Sequence, residues 1–530
     1  MGHQPNLDWD IHAKPSTVID CDRVTELAEQ CPQPLRDQWR RKLDDLTKRS
    51  SYPKELNVDL KDSGCALGDK HFKTVVDNDY VREIAADKVE GVIKTFIRGE
   101  WNKMRNRWLN WTKTINKATT AEYCRLTSFL EALTSVHDGD LAYSIDIKAC
   151  YNQYRYGEEL WPLVCFKHKG KWWHLTRMAM GQRQTSGIAQ TALQVLSHGT
   201  KRQGLAYVDN LKAAGNREDL LTDLIYIRKR AEYCNMVFGE DLSKPEDLIS
   251  EIITYLGLIL DHKNKTVQIA DKTIAKIREM MKHRGNWTLS NFISAGALLM
   301  YFCLATRRPL GRFQYAIQCW AAAQGRAQRD PNTKKMRYIE SEDLIPVLTE
   351  WLELAIKNEP FPVAKREEDP IDFYVITDSC IDGYGGCVVS AKSGQCTILS
   401  GLWRKDLREY CRSSSRAEPL GMLCVLSDFF DRSGTHAIVQ HYGDNQGSEH
   451  ITNKGYSTKS SQIVMELLER ELPGIKVKSK YTPGASIPAD RVSRQLAADP
   501  EELRDFCKDH DIKLDEEFGR LLLSPTPKLI

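Results

Sequence analysis

The feature that most constrains this chain is an acid at a turn, Tyr207-Val208-Asp209-Asn210, inside residues 204–215. An apolar run leads in, an acid and an amide occupy the turn, and a short run ending at Gly215 leads out. That pattern predicts a β-hairpin with a carboxylate at its tip. A turn acid ordinarily satisfies its own backbone or faces water, so the hairpin gains chemical meaning only if a second acid is brought to it. Residues 141–146, Leu-Ala-Tyr-Ser-Ile-Asp, supply one: an apolar strand ends on Asp146, and Tyr151 lies five residues on.

At 530 residues the chain is too long for one core and predicts two to four domains. Its 75 basic and 72 acidic residues give a net charge of +3, which does not mark a nucleic-acid binder, so local clusters must carry that argument. Residues 98–117 hold six basic residues against one acid, with Trp101, Trp108 and Trp111 among them. Basic and aromatic residues in alternation suit a polyanion; a solvated helix face over packed tryptophans is the competing reading. The fifteen cysteines are scattered without metal-ligand spacing, which reads as reduced thiols. With no apolar leader and no run approaching the ~18 apolar residues of a membrane span, the expected address is cytoplasm or nucleus, with no membrane partner.

Along the chain, residues 1–75 are polar and weakly periodic, with a helix expected at 34–48. Asp62-Ser63-Gly64 resembles the triplet of retroviral-type aspartic proteases, but such a protease half needs flanking apolar strands and on the order of 100 residues of its own, and an acid before a Ser-Gly turn is the better reading. The apolar spacing of Val81, Ile84, Val89, Val92, Ile93, Phe96 and Ile97 predicts a helix over 79–98. Strands are expected at 163–166 and 171–177, then a turn at Gly181 opening a helix, a helix over 220–234, and a strand pair around 254–261 and 266–269. Helices follow at 289–305, to about 328, and at 344–357, with a basic concentration at Arg307, Arg308, Arg312, Arg326, Arg329, Lys334, Lys335 and Arg337.

These residues together resemble reverse transcriptases. Asp146 to Tyr151 resembles their first metal-binding motif, and Tyr207 to Asn210 their Tyr-x-Asp-Asp box. Residues 107–119 resemble the preceding fingers segment. Met180-Gly181, Gln190, Lys244 and Tyr255-Leu256-Gly257 fall in the family's order. The resemblance implies that Asp146 and Asp209, with Ile147 and Asn210 beside them, hold two Mg²⁺ ions (Mn²⁺ as an alternative) ~4 Å apart. It also implies that Arg107 and Lys113 clamp a deoxynucleoside triphosphate, that Tyr151 floors the sugar pocket, and that Gly181 lets backbone approach the nucleotide. Lys244 matches the position that protonates pyrophosphate. Lys103, Arg105, Gln190, Tyr255, Leu256, Gly257, Arg307, Arg308 and Arg312 are the implied nucleic-acid contacts. The departure is Asn210, where the family carries a second aspartate: an amide oxygen binds Mg²⁺ without adding charge.

Beyond a charged, proline-containing linker at 361–370, the order is three strands, helix, strand, helices, strand, helix. That is the order of a ribonuclease H fold. Asp378 ends the first strand, Glu418 lies on the first helix, Asp444 ends the fourth strand and Asp490 opens the last helix. Thr377-Asp-Ser, Gly383-Tyr-Gly-Gly and residues 483–494 (Pro-Gly-Ala-Ser-Ile-Pro-Ala-Asp-Arg-Val-Ser-Arg) resemble retroelement ribonuclease H ends. Four carboxylates on two Mg²⁺ ions suit hydrolysis of an RNA phosphodiester. Integrases share the fold with a different acidic set.

The expected architecture is therefore multidomain α/β. An extension (1–75) precedes α+β fingers and palm (76–285), a helical thumb-like region (286–360), the linker, an α/β ribonuclease H-like domain (371–500) and a tail (501–530). The expected function is an RNA-directed DNA polymerase with ribonuclease H activity, acting on RNA template, DNA primer and RNA–DNA hybrid. Residues 294–312 and 442–461 resemble the DIRS and VIPER group of retroelements, with a more distant likeness to Ty3/gypsy elements. Two alternatives stay open: a polymerase-impaired hybrid-binding protein with active ribonuclease H, and a decayed or domesticated non-enzymatic nucleic-acid binder.

Overall fold

A computed structural model describes residues 4–515, apart from 12–16, 57, 101–102, 121, 123, 309, 366–369, 431–434 and 455–460. Trp101, residues 366–369 of the linker and part of the 442–461 stretch therefore lie outside the described residues. The chain divides into two compact units, Met1–Tyr255 and Leu256–Ile530. The boundary falls inside the stretch expected to form fingers and palm.

Among the described residues, the first unit is built from three small sheets and a set of helices around one core. Strand Leu141–Asp146 lies beside Asn210–Gly215, which pairs in turn with Leu205–Tyr207, all antiparallel. A second sheet joins Val81–Ile84, Lys171–Leu175 and Cys165–His168, and a third joins Gly64–Ala66, Lys94–Glu100 and Arg105–Trp111. Helix Thr185–Ser197 buries ten of its residues, from Thr185 to Leu196, because its interior is small and apolar on all sides and elements pack around it.

The helix expected over 79–98 is not formed. Strand Val81–Ile84, a single 3₁₀ turn at Ala86–Lys88 and strand Lys94–Glu100 occupy that stretch. The reason lies in composition and burial. β-Branched Val89, Val92, Ile93, Thr95 and Ile97 favour extended backbone, and Thr95, Ile97 and Gly99 are buried alternately along Lys94–Glu100, a period of two. Gly91 lies so close to the Leu163 backbone that any Cβ would collide with it. The apolar spacing matched a helical period by coincidence with two strand faces.

The N-terminal stretch is built into the core. Helix Gln33–Thr47 packs on helix Thr185–Ser197, burying Trp39 and Leu46 completely. Lys42, 1% exposed, is held by Glu122 at 2.9 Å, which neutralises a charge that would otherwise be costly to bury. The Asp62-Ser63-Gly64 triplet serves this frame. Asp62 pairs with Lys113 at 3.1 Å, the Ser63 hydroxyl accepts the Lys167 amide at 3.0 Å, and Gly64 starts a strand.

The second unit begins with hairpin Leu258–Asp261 and Thr266–Ile269, with Phe361–Pro362 added at its edge. Helices Asp271–Lys282, Leu289–Ala305, Gln314–Arg329 and Leu344–Lys357 follow. Thr288 caps Leu289–Ala305 in a reciprocal box with Asn291, fixing where it starts. A five-stranded sheet then runs in the order Cys396–Leu402, Gly383–Ser390, Phe373–Ser379, Ala437–Gly443, Ile475–Tyr481. The first three strands are antiparallel and the last two pair in parallel. Apolar clusters cover both of its faces, so Val375 to Asp378 form an unbroken buried run, as a two-sided strand requires. Helix Ser414–Phe429 sits on one face; Ala489–Ser493 and an unanticipated helix, Pro500–Asp509, complete the other. From Phe373 to Ser493, single turns aside, the order is three strands, helix, strand, helices, strand, helix. No described helix is long and apolar enough to cross a membrane.

Candidate active sites

In the first unit, backbone pairing brings the two distant acids together. Asp146 lies opposite Asn210 in the ladder, and the Ile147 amide donates to the Asp209 carbonyl at 2.8 Å. The hairpin closes through Val208, whose φ of +58° is unfavourable for a β-branched residue. Gln190 holds it there. Its Oε1 accepts the Val208 amide at 2.6 Å, and its Nε2 donates to the carbonyls of Ala206 at 3.0 Å and Arg125 at 3.2 Å. Tyr255 adds a strap, its hydroxyl donating to the Leu205 carbonyl at 2.8 Å.

Gln190 and Tyr255 are both 1% exposed. They correct the expectation that they touch nucleic acid: their polar atoms are spent on the hairpin, and the family spacing marked supports of the site. Leu256 and Gly257, both at positive φ, turn the chain at the start of the second unit, where the Leu256 carbonyl accepts the Tyr301 hydroxyl at 3.2 Å.

Burial raises the carboxyl groups of both acids. Asp146 lifts Asp209 further while Arg107 draws it down, and Lys103 draws Asp146 down. Asn210 brings no charge; its Oδ1 accepts the Ser144 hydroxyl at 3.3 Å. Sequence reasoning missed a third acid. Glu240 accepts the Asp146 amide at 2.8 Å, and its carboxyl is raised by burial and by Asp146.

Of the cations expected to serve this pair, Arg107, whose charge reaches Asp209, is held by Glu100 at 2.8 Å, and Lys113 is held by Asp62 at 3.1 Å. Arg105 also pairs with Glu100, at 2.6 Å. Tyr151 is half-buried, its hydroxyl 3.3 Å from that of Ser186. Gly181 has φ +98°, open only to glycine at low cost, and its carbonyl accepts the Asn116 side chain at 2.9 Å. Lys103 and Lys244 are exposed. Of the expected basic and aromatic stretch, Trp108 is buried and donates to Thr95 at 2.6 Å, whereas Trp111 is half-exposed beneath Lys94 and Lys113.

Within the second unit, two of the expected arginine contacts turn inward. Arg308 is buried, lies over the Phe302 and Phe361 rings, and donates to the Glu359 carbonyl at 2.8 Å. Arg312 is bonded to Glu350. Both act on half-buried Glu469, which desolvation nevertheless lifts to about 7. These two arginines hold the unit together and are not free for phosphate; their clustering in sequence could not reveal that partners on other helices occupy them. Arg307, Lys334, Lys335 and Arg337 do face solvent.

The second acid site is tighter. Asp378, Glu418 and Asp444 bring carboxylate oxygens within 4.8 Å of one another. Burial and the neighbouring acids push Glu418 up to about 9 and Asp378 up to about 6, and Asp444 is raised as well. Ser493, on the last helix of this site, donates its hydroxyl to Asp378 Oδ2 at 2.7 Å and lowers it; the sequence offered no signal for that role beyond the Asp-x-x-Ser-Arg ending. Glu418 Oε2 is buried without a hydrogen-bond partner. Three crowded acids and an orphaned oxygen are unfavourable by themselves, and an oxygen-loving divalent cation resolves both problems, so the donor set fits such an ion. Asp490 stands apart from the cluster. It is bonded to Arg494 at 2.9 Å, yet close enough to raise both Asp378 and Asp444.

No protein-family model matches the chain. It is 27% identical over 181 residues to the enzymatic polyprotein of Cestrum yellow leaf curling virus, a match that covers 33% of this chain and 27% of that polyprotein. Among solved structures it is similar to the foamy viral protease-reverse transcriptase in complex with RNA/DNA hybrid (12% identity, TM-score 0.48, 87% of this chain and 63% of that one). The same protein in complex with dsDNA gives 13% identity, TM-score 0.48, and 87% and 97% coverage.

Proposed function

We propose that this chain is the replication core of a retroelement, with an RNA-directed DNA polymerase site in its first unit and an RNA-degrading ribonuclease H site in its second. The observation that carries the reading is the convergence of Asp146 and Asp209, 63 positions apart in the chain, through one backbone ladder and a braced, strained turn. A protein rarely maintains strain and repelling acids together without a use for them.

Divalent cations, held by Asp146 and Asp209 in one site and by Asp378, Glu418 and Asp444 in the other, would supply positive charge to the attacking and leaving oxygens of phosphoryl transfer. The chain's own residues do the rest. Arg107 and Lys113 exchange Glu100 and Asp62 for the phosphates of a deoxynucleoside triphosphate, as fixed cations do for spreading phosphate charge. Tyr151 lies against the sugar and disfavours a 2′-hydroxyl, and Lys244 gives a proton to pyrophosphate. In the second site Ser493 fixes one oxygen of Asp378, leaving the other to the reacting centre, while Arg494 keeps Asp490 at the rim. RNA template, DNA primer and RNA–DNA hybrid are the partners, and kinship lies with DIRS- or VIPER-type elements.

Primer extension on an RNA template tests the polymerase half. Mg²⁺-dependent extension is expected, lost in Asp146→Asn, with ribonucleotide incorporation raised in Tyr151→Ala. Extension that survives Asp146→Asn would remove the assignment. A second reading, a hybrid-binding palm without synthesis, has Asn210 in its favour, and absence of extension beside intact hybrid cleavage would select it.

A further inference from the structure

The segment after helix Arg217–Tyr233 runs alongside Asp146. The Lys148 amide donates to the Val237 carbonyl at 3.0 Å, Ile147 bridges Phe238, and the Gly239 amide donates to the Asp146 carbonyl at 2.8 Å. Glu240 then reaches back, so that its Oε2 accepts the Asp146 amide at 2.8 Å. Both backbone polar groups of Asp146 are thus held by two successive residues, 93 and 94 positions away in sequence. A Cβ on Gly239 would stand 2.6 Å from Asp146 Oδ1, so glycine is what leaves room for that carboxylate. Glycine followed by glutamate is the pair this location demands: one residue clears the acid, the next anchors it.

We propose that Glu240 is a positioning residue for Asp146 and carries the negative charge that Asn210 does not bring to the palm. This rests on the polymerase reading. The anchor is a charge-assisted hydrogen bond to a main-chain amide, stronger than a neutral one. It fixes the end of the strand that presents Asp146. The same carboxylate adds an acidic group beside Asp146, close enough for the two to interact, where Asn210 adds none. The two contributions separate by substitution. Glutamine keeps an oxygen that accepts the Asp146 amide but loses the charge, and alanine loses both.

The test uses the full chain, with Mn²⁺ binding followed by electron paramagnetic resonance beside primer extension. Asp378→Asn is present throughout to silence the second acid site. Glu240→Gln is expected to weaken Mn²⁺ binding about ten-fold, the effect typical of a lost outer partner of a metal site. It should raise the Mg²⁺ needed for half-maximal extension by a similar factor while leaving kcat at saturating Mg²⁺ within about two-fold. Glu240→Ala is expected to lower kcat as well. Asn210→Asp should restore metal binding in the Glu240→Gln background and do little for kcat in Glu240→Ala. Gly239→Ala, which leaves Glu240 intact, should lower kcat by displacing Asp146, an independent check if Glu240→Ala folds poorly. Unchanged Mn²⁺ binding in Glu240→Gln, or failure of Asn210→Asp to rescue it, would overturn the inference while leaving the polymerase reading in place. A parent chain that binds no Mn²⁺ and extends no primer would instead overturn both.

Discussion

The two acid sites solve the same problem in different ways. In the first unit two acids meet at the edge of a sheet, each half-buried, with basic residues drawing them down and a braced hairpin defining their separation. In the second, three acids crowd a buried corner, where burial first and repulsion from neighbouring acids second raise all three carboxyl groups and keep Glu418 neutral near pH 7. The palm pair is an open arrangement fixed by backbone, whereas the triad is a closed one whose charged form awaits a counter-ion. Geometry in the first is therefore sensitive to its supports, and protonation in the second is sensitive to pH and cations.

The largest expected difference comes from replacing Glu418 with a side chain that cannot ionise to meet a cation. Glu418→Gln should reduce hybrid cleavage at least about 100-fold, comparable to losing a principal electrostatic element of a site. Because burial already keeps the native carboxyl neutral near pH 7, the same variant should melt as the parent does without metal. It should also lose the stabilisation that Mg²⁺ gives the parent. Thermal melts with and without Mg²⁺ check both statements.

Next is pH. Glu418 titrates from 4.5 in the unfolded chain to about 9 in the folded one, and Asp378 from 3.8 to about 6. A raised carboxyl pKa means that the folded state retains the proton over that window. The metal-free protein should therefore lose stability as pH rises from about 4 to 9, and Mg²⁺ should recover most at the alkaline end. Chemical denaturation of the metal-free chain across that range tests this, and a flat profile would contradict the burial of the triad.

The supports should show smaller effects. Gln190→Ala leaves the Val208 amide without its partner in a strained turn, a cost of about 1–3 kcal/mol, with extension falling more than hybrid cleavage. Ser493→Ala removes one hydrogen bond, about 1 kcal/mol. By raising Asp378 it should move the acid limb of the cleavage pH profile upward, and an unmoved limb would show that the Ser493 contact does not tune the acid.

Much of this was legible in the sequence, for identifiable reasons. Helices Leu289–Ala305 and Leu344–Lys357 stand at their expected bounds, because long, strongly patterned runs with clear caps or breaks determine their own ends. The two acids at the ends of apolar runs were equally visible. Residues 79–98 were misread because two strands and a 3₁₀ turn produced the spacing of one helix face. Glu240, Ser493 and the partners of Lys42, Arg308 and Arg312 were not legible, since each depends on a residue tens of positions away that only the packed chain brings near. The triad's protonation was likewise invisible, since it follows from burial. Gln190 and Tyr255 were found by spacing and given the wrong task, since order along the chain does not say whether a side chain faces substrate or core.

The account's central claim is that one chain carries two acid sites with separate chemistries. Its most direct test is to assay the full chain, Asp146→Asn and Asp378→Asn side by side for primer extension on RNA and for cleavage of RNA–DNA hybrid in Mg²⁺. The account predicts that Asp146→Asn loses extension and keeps cleavage, and that Asp378→Asn loses cleavage and keeps extension. Loss of both activities in either variant, or survival of both in either, would contradict it.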